Sequence, residues 1–146
     1  MLQSRLGSFE GLHVADLFAG TGALGLEALS RGAGHCTFVE SDRGALAILQ
    51  QNVDRFGAGE RATLRAQPVE HVSAPTRPCD LVLMDPPYAR GLAEAALKRL
   101  TDPAWLRPGA MVSIETEARL PPPPGFALEA ERRFGKAHIT LLRRSD

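Results

Sequence analysis

Asp16-Leu17-Phe18-Ala19-Gly20-Thr21-Gly22-Ala23-Leu24-Gly25 is the stretch that decides how this chain is read. A short apolar run, residues 14–18, leads into it, and a helical stretch, residues 23–31, leads out to Gly32. A short apolar run reads as a buried strand, and apolar residues at helical spacing stopped by glycine read as a helix. The quoted segment is therefore a strand-to-helix turn. Its glycines let the chain turn sharply and let a ligand approach the backbone closely. Gly20, Gly22 and Gly25 also satisfy G-x-G-x-x-G, the dinucleotide fingerprint, in the strand–turn–helix context that gives the pattern meaning.

Outward from this turn, strand and helix alternate. Residues 36–40 form a second strand. Residues 42–56 carry Leu46, Leu49, Val53 and Phe56 at helical spacing, with Asp42 or Ser41 as cap and Gly57 as stop. Residues 62–66 form a third, weaker strand, residues 80–84 a buried fourth, residues 92–100 a helix and residues 110–114 a fifth strand. Such alternation predicts an α/β fold with a parallel sheet covered on both faces. The end of the chain differs. Residues 126–132 alternate apolar and charged, residues 138–142 do so more loosely, and Phe134, Gly135 and Lys136 lie between them. That predicts a C-terminal antiparallel hairpin on one edge. Residues 121–124 are all proline and read as a stiff linker before it.

Glu40 lies twenty positions after Gly20, at the end of the second strand. A carboxylate there can accept both ribose hydroxyls of an adenosine. NAD and S-adenosylmethionine both satisfy this arrangement, and Asp16 discriminates between them. A carboxylate at the first strand's end would repel a pyrophosphate and would suit the cationic amino group and sulfonium of S-adenosylmethionine. The alternative for Asp16 is a turn carboxylate that caps local backbone groups.

The fourth strand runs into Asp85-Pro86-Pro87-Tyr88. In an open parallel sheet, ligands bind beyond the carboxyl ends of the strands, which puts this loop beside the glycine loop. Two prolines fix the backbone and remove N–H donors, leaving carbonyls free to face a substrate. An exocyclic amine on a nucleobase is a poor nucleophile because its lone pair is delocalised into the ring. The Asp85 carboxylate and the Pro86 carbonyl can each accept one of its N–H groups, favouring tetrahedral nitrogen and aiming the lone pair at a sulfonium methyl. Tyr88 offers a face for base stacking. Arg90 reads equally as a phosphate contact or as a solvated loop residue.

Bulk properties bound the reading. The chain has 146 residues, 44% apolar and 23% charged, which fits one globular domain over residues 1–146. No apolar run approaches the ~20 residues a membrane span needs, and residues 1–7 lack a signal peptide's pattern, so the expectation is a cytoplasmic protein. Cys36 and Cys79 are far apart and belong to no metal-ligand spacing; they read as small buried residues, and no metal is expected. The four histidines share no spacing and read as structural or surface residues, and Trp105 reads as packing over the sheet. Lys plus Arg and Asp plus Glu are both 17, so the chain is neutral, whereas autonomous nucleic-acid binders more often have a pI above ~9. Arg132, Arg133, Lys136, Arg143 and Arg144 cluster on the hairpin, as an RNA footprint or as the charge that protects a sheet edge.

The string from Asp16 through Ala33, Phe38-Val39-Glu40, and Asp80 to Tyr88 together resemble the RsmD family of bacterial 16S ribosomal RNA guanine-N2 methyltransferases. The resemblance covers nearly the whole chain and extends to Ala89-Arg90-Gly91 and to Phe134-Gly135. It implies a Rossmann-like class I S-adenosylmethionine-dependent methyltransferase acting on the small ribosomal subunit or its RNA. On that pattern Asp16, Phe18, Gly20, Thr21 and Gly22 would line the methionine end of the cofactor. Glu40 would hold the ribose, and Ser41, Gln67 and Pro68 would lie near the adenine. Asp85, Pro86, Pro87 and Tyr88 would hold the target guanine, with Arg90 beside it. The family usually has a further basic, glycine-rich N-terminal segment ahead of the position of Met1, so the expectation is a shortened chain with a weakened grip on RNA. Three other activities remain as alternatives: a DNA adenine methyltransferase, a protein-glutamine methyltransferase and, from G-x-G-x-x-G alone, an NAD-binding oxidoreductase. Asp rather than Asn ahead of Pro-Pro-Tyr disfavours the glutamine enzyme, and no separate target-recognition domain fits in this length.

Overall fold

Alternation of side chains along each strand sets the architecture. The computed structural model describes residues 5–87 and 91–145. In chain order the elements are β1 (His13–Leu17), α1 (Ala23–Ser30), β2 (His35–Val39), α2 (Arg43–Arg55), a 3-10 turn (Gly59–Arg61), β3 (Ala62–Arg65), β4 (Cys79–Met84), α3 (Leu92–Arg99), β5 (Leu106–Thr116), β6 (Phe126–Phe134) and β7 (Ala137–Arg144). Among the described residues the strands form one seven-stranded sheet in the order β3-β2-β1-β4-β5-β7-β6. The first five in that order are mutually parallel, and β7 runs antiparallel to both β5 and β6.

Neighbouring residues of β4 serve opposite faces, as the two-residue strand period requires. Leu81 and Leu83 join Val14, Phe38, Met111 and Leu141 under α1 and α2, which contribute Leu26, Leu29, Leu49 and Val53. Val82 and Met84 join Ala15, Leu17, Val112 and Ile114 on the other face, beneath Ala96 and Leu97 of α3 and the 2% exposed Trp105. Trp105 thus packs over the sheet as expected, and both free cysteines are buried. The β3–β4 connection contains no helix. Pro68, Pro75 and Pro78 fall within it, and each removes an N–H and opposes helical continuation.

The strand order reverses between β1 and β4, which pair directly. Loops following those two strands must diverge to opposite faces, leaving a crevice at their carboxyl ends. That crevice takes the glycine loop from one side and the Asp85-Pro86-Pro87 segment from the other.

Two elements run further than their patterning suggests. β5 begins at Leu106 rather than at residue 110, because Arg107, Pro108 and Gly109 bulge out where the β4–β5 register shifts. Gly109 takes a φ of 78°, and the strand resumes at Ala110. The hairpin is also longer, since Phe134 and Ala137 still pair and leave a two-residue turn. Gly135 stands first in that turn at positive φ, as a tight hairpin favours.

Candidate active site at the carboxyl ends of the strands

The glycine loop is built by backbone constraint. Phe18, directly after β1, has a φ of 58°, the one non-glycine residue with positive φ among those described. Such a conformation costs ~1–3 kcal/mol and persists where the surroundings over-determine it, typically at ligand sites. The loop is held by Ala19 N–H donating to Val39 O at 3.0 Å and Gly22 N–H donating to Ala19 O at 2.9 Å. Asn52 of α2 donates through Nδ2 to Thr21 O at 2.9 Å.

The three glycines serve different ends. A Cβ on Gly20 would meet nothing within 4 Å, so its backbone faces open space at the crevice. One on Gly22 would lie 2.3 Å from Leu49 Cδ1, and one on Gly25 would lie 2.4 Å from Phe38 Cε1 and 2.7 Å from Cys36 Sγ. Gly22 and Gly25 therefore set how closely α1 sits on α2 and β2. Gly25→Ala pushes a methyl into fully buried Phe38 and Cys36. We expect it to destabilise the fold by ~1–3 kcal/mol, lowering the urea midpoint without changing the denaturant slope. An unchanged midpoint would show that α1 can lift off the sheet freely.

Asp16 does not face the cleft. It is 1% exposed and lies beneath the loop, where Oδ2 accepts the Gly25 N–H at 2.9 Å. That N–H is one of the first-turn donors of α1 that lack a helical partner, so a strand residue caps the helix from below. Burial pushes the Asp16 carboxyl up to about 7, against the lowering by the Gly25 N–H; the charges of Asp85 and Glu40 push it further the same way.

Glu40 follows β2, and both of its carboxylate oxygens are pinned. Oε1 accepts the Gly20 N–H at 2.7 Å, and Oε2 accepts the Asp42 N–H at 2.9 Å. Asp42 is in turn the N-cap of α2, accepting the Ala45 N–H at 2.8 Å. Each Glu40 oxygen retains a free lone pair, so the group is oriented to accept two further donors.

Phe18, Glu40, Ser41, Gln67, Pro68, Asp85 and Pro87 line one cleft of about 300 Å³, to which the structure adds Val69, Glu70 and Leu92. Pro86 is buried. Gly20, Thr21 and Gly22 form the loop beside the cleft, while Tyr88 and Arg90 lie outside the described residues. Asp85 is exposed to the cleft, and partial burial of its carboxyl raises its pKa above the usual carboxylate value. The residues suit an adenosine-containing cation: an open backbone at Gly20, an oriented carboxylate at Glu40, and apolar walls from Phe18, Pro68 and Leu92.

Patterning did not single out Arg99. From α3 its guanidinium donates to Glu70 O and Val72 O, the segment that follows Gln67 and Pro68. It also lines an adjoining apolar hollow of about 320 Å³ that shares Phe18, Val69, Glu70 and Leu92 with the cleft. One side chain thus ties the helix after the Asp85 loop to the wall carrying Gln67. Arg99→Met should raise the KM for the cofactor about tenfold, the scale of one lost charge-assisted bond. Saturated turnover should hold, and Arg99→Lys should recover part of the loss. Equal steady-state parameters for all three proteins would make Arg99 incidental.

An open, mostly parallel sheet with a glycine loop after β1, an oriented acid after β2 and an Asp-Pro-Pro segment after β4 defines a Rossmann-like methyltransferase of class I. The family model described as Conserved hypothetical protein 95 matches residues 1–143. Ribosomal RNA small subunit methyltransferase D of Escherichia coli K12 is 36% identical over 132 residues, covering 88% of this chain and 67% of its own length. The enzyme of the same name from Haemophilus influenzae is 33% identical over 126 residues, covering 82% of this chain and 65% of its own. This chain belongs to that family, the RsmD methyltransferases. A solved structure described as a putative methyltransferase yhhF from Escherichia coli superposes with a TM-score of 0.88 at 33% identity, covering 99% of this chain and 82% of that one. The chain spans about two thirds of the length of these curated relatives. Family membership makes S-adenosylmethionine the cofactor and sets aside the NAD-dependent oxidoreductase. Among the described residues, no helix is long and apolar enough to cross a membrane.

Proposed function

We propose that this chain, as one catalytic domain over residues 1–146, methylates the exocyclic N2 amine of a guanine in small-subunit ribosomal RNA, in the cytoplasm. The observation that carries the reading is the shared cleft: Asp85 and Pro87 line the same cavity as Glu40, Phe18 and Gln67. An amine acceptor and an adenosine site are thereby within one ligand's reach of each other. The names of the relatives, ribosomal RNA methyltransferases of the small subunit, supply the substrate class.

When bound, S-adenosylmethionine supplies an electrophilic methyl group on a sulfonium. Glu40 accepts the ribose hydroxyls on its two free lone pairs. Asp16, from beneath, holds the start of α1 and with it the glycine loop. Ser41, Gln67 and Pro68 form the adenine wall, and Phe18, with Gly20, Thr21 and Gly22 beside it, packs at the methionine end. Asp85 and the Pro86 carbonyl accept the two N–H groups of the guanine amine, while Tyr88 stacks on the base and Arg90 meets a phosphate. In its ionised form Asp85 also stabilises the positive charge that grows on nitrogen as the N–C bond forms and the sulfonium C–S bond breaks.

The test is transfer of labelled methyl to small subunits, and to their RNA, from a strain lacking the modification, followed by mass spectrometry of the digested product. N2-methylguanosine is the expected product. Methyladenine in DNA or methylglutamine in protein would replace the substrate assignment, and no transfer to any amine would overturn the activity.

A further inference from the structure

We propose that the tip of the β6–β7 hairpin is an RNA-contacting surface, with Phe134 as a stacking platform and Arg132, Arg133 and Lys136 as phosphate contacts, for the strand flanking the target nucleotide. This rests on the reading of the chain as an RNA methyltransferase.

Met84, one residue before Asp85, lies level with Ile114, which pairs with Thr140, which pairs with Glu131. From there β6 rises to Phe134 as β5 rises to Thr116, so the tip projects at the carboxyl end of the parallel strands, on the side of Asp85. Three strand spacings put Glu131 about 14 Å sideways from Met84, and the tip lies about 10 Å further along β6. An enzyme that works on a nucleobase amine takes the base out of its stack, and the flanking strand must then run over the rim of the site. The tip occupies that rim.

The chemistry of the tip is also distinct from that of the rest of the hairpin. Arg143 is committed to Glu129 at 3.2 Å and to Gly109 O at 2.9 Å. Arg144 is committed to Gly125 O at 2.7 Å and Thr101 O at 3.1 Å. These two brace the fold. Arg132, Arg133 and Lys136 take part in no ion pair among the described residues, Arg133 donating only through Nε to Gly135 O at 3.1 Å within the tip itself, and the sequence carries no acid from Arg132 to Ser145. In a chain of zero net charge this is a local cationic surface. Protection of a sheet edge accounts for charge but not for the aromatic at its end. Phe134 is 53% exposed, and the Arg132 guanidinium sits 5.6 Å from its ring centroid. An exposed ring beside cations combines a sequence-tolerant stacking face with phosphate neutralisation, the pairing used for single-stranded nucleic acid.

The test compares wild type, Phe134→Ser, Phe134→Tyr and the double variant Arg132→Gln, Lys136→Gln. Substrates are small subunits lacking the modification and, separately, their deproteinised RNA. Phe134→Ser should raise the KM for both about tenfold, the scale of one lost base–aromatic stack. Phe134→Tyr, which keeps the face, should behave as wild type. The double variant should lower the salt dependence of RNA binding by about one to two in log–log slope. Saturated turnover, cofactor affinity and melting temperature should stay at wild-type values. An unchanged KM in Phe134→Ser and an unchanged salt slope in the double variant would overturn the proposal. So would weaker binding to intact subunits with unaltered binding to deproteinised RNA, which would make the partner a ribosomal protein. If wild type binds RNA through the tip yet transfers no methyl to it, the activity assignment fails and the surface stands.

Discussion

Asp85→Ala should slow methyl transfer by ~10²–10³, the usual loss when one preorganised polar contact to a developing charge is removed. The variant deletes both an acceptor for an amine N–H and the negative charge that offsets the ammonium-like transition state. Asp85→Asn should be milder, because its amide oxygen still accepts the N–H but carries no full charge. Cofactor affinity should change little in either, since the glycine loop and Glu40 sit on other elements. Folding should also be spared, because Asp85 is exposed. Single-turnover transfer measured beside cofactor titration makes the comparison. Wild-type rates in Asp85→Ala would reduce the loop to a structural turn, and loss of cofactor affinity in proportion to rate would move Asp85 into the cofactor site. The raised pKa of Asp85 adds a pH signature. The acid limb of the rate profile should be displaced upward from that of an unperturbed aspartate and should vanish in Asp85→Asn.

The sheet was legible because its strands and glycines obey local rules. Residues 80–84 lack a polar side chain after Asp80, and so short an apolar run bounded by Pro78 and Pro86-Pro87 suits a strand buried on both faces. Glu40 was legible for the same kind of reason: it closes a strand whose neighbour ends in the glycine loop, so one crevice must receive both. Contacts that close across distant segments were not legible. Asn52 bonds Thr21 O thirty-one residues away, and Arg99 bonds the carbonyls of Glu70 and Val72 across the cleft wall. A polar residue on a helix reaching a distant carbonyl leaves no periodic trace. Strand ends were blurred where Pro108-Gly109 imitates a stop while the backbone merely bulges. Asp16 shows a different limit. Its position beside the loop was plain, but sequence could not say whether its carboxylate points up at a ligand or down at an orphan N–H. The structure has it bonded to Gly25, because α1 starts two residues earlier and leaves that donor unpaired.

That placement has a thermodynamic consequence: the cofactor-free protein should lose stability as pH rises from about 4 to about 7, and Asp16→Asn should remove much of that loss. Burial lifts the Asp16 carboxyl from its ordinary 3.8 to about 7 in the folded chain. Between those values the folded chain holds a proton that the unfolded chain has released, so rising pH favours unfolding. The difference corresponds to about 4 kcal/mol, complete once pH exceeds the folded value. Asp85, also raised, acts in the same direction, whereas His13 and His35, lowered by burial, and Glu129, lowered by its hydrogen bond from Arg143, act in the opposite one. The difference between wild type and Asp16→Asn isolates the one group, because the amide oxygen can still accept the Gly25 N–H while remaining neutral. The two proteins should be about equally stable near pH 4, and the variant the more stable at pH 8 by urea denaturation. Cofactor binding reads the same titration. A cation seated over the loop favours ionised Asp16, so wild-type affinity should rise between pH 6 and 8 with release of a proton, and the rise should flatten in Asp16→Asn. Parallel stability curves for the two proteins across this range would show that Asp16 stays ionised beneath the loop, and its raised pKa would have to be abandoned.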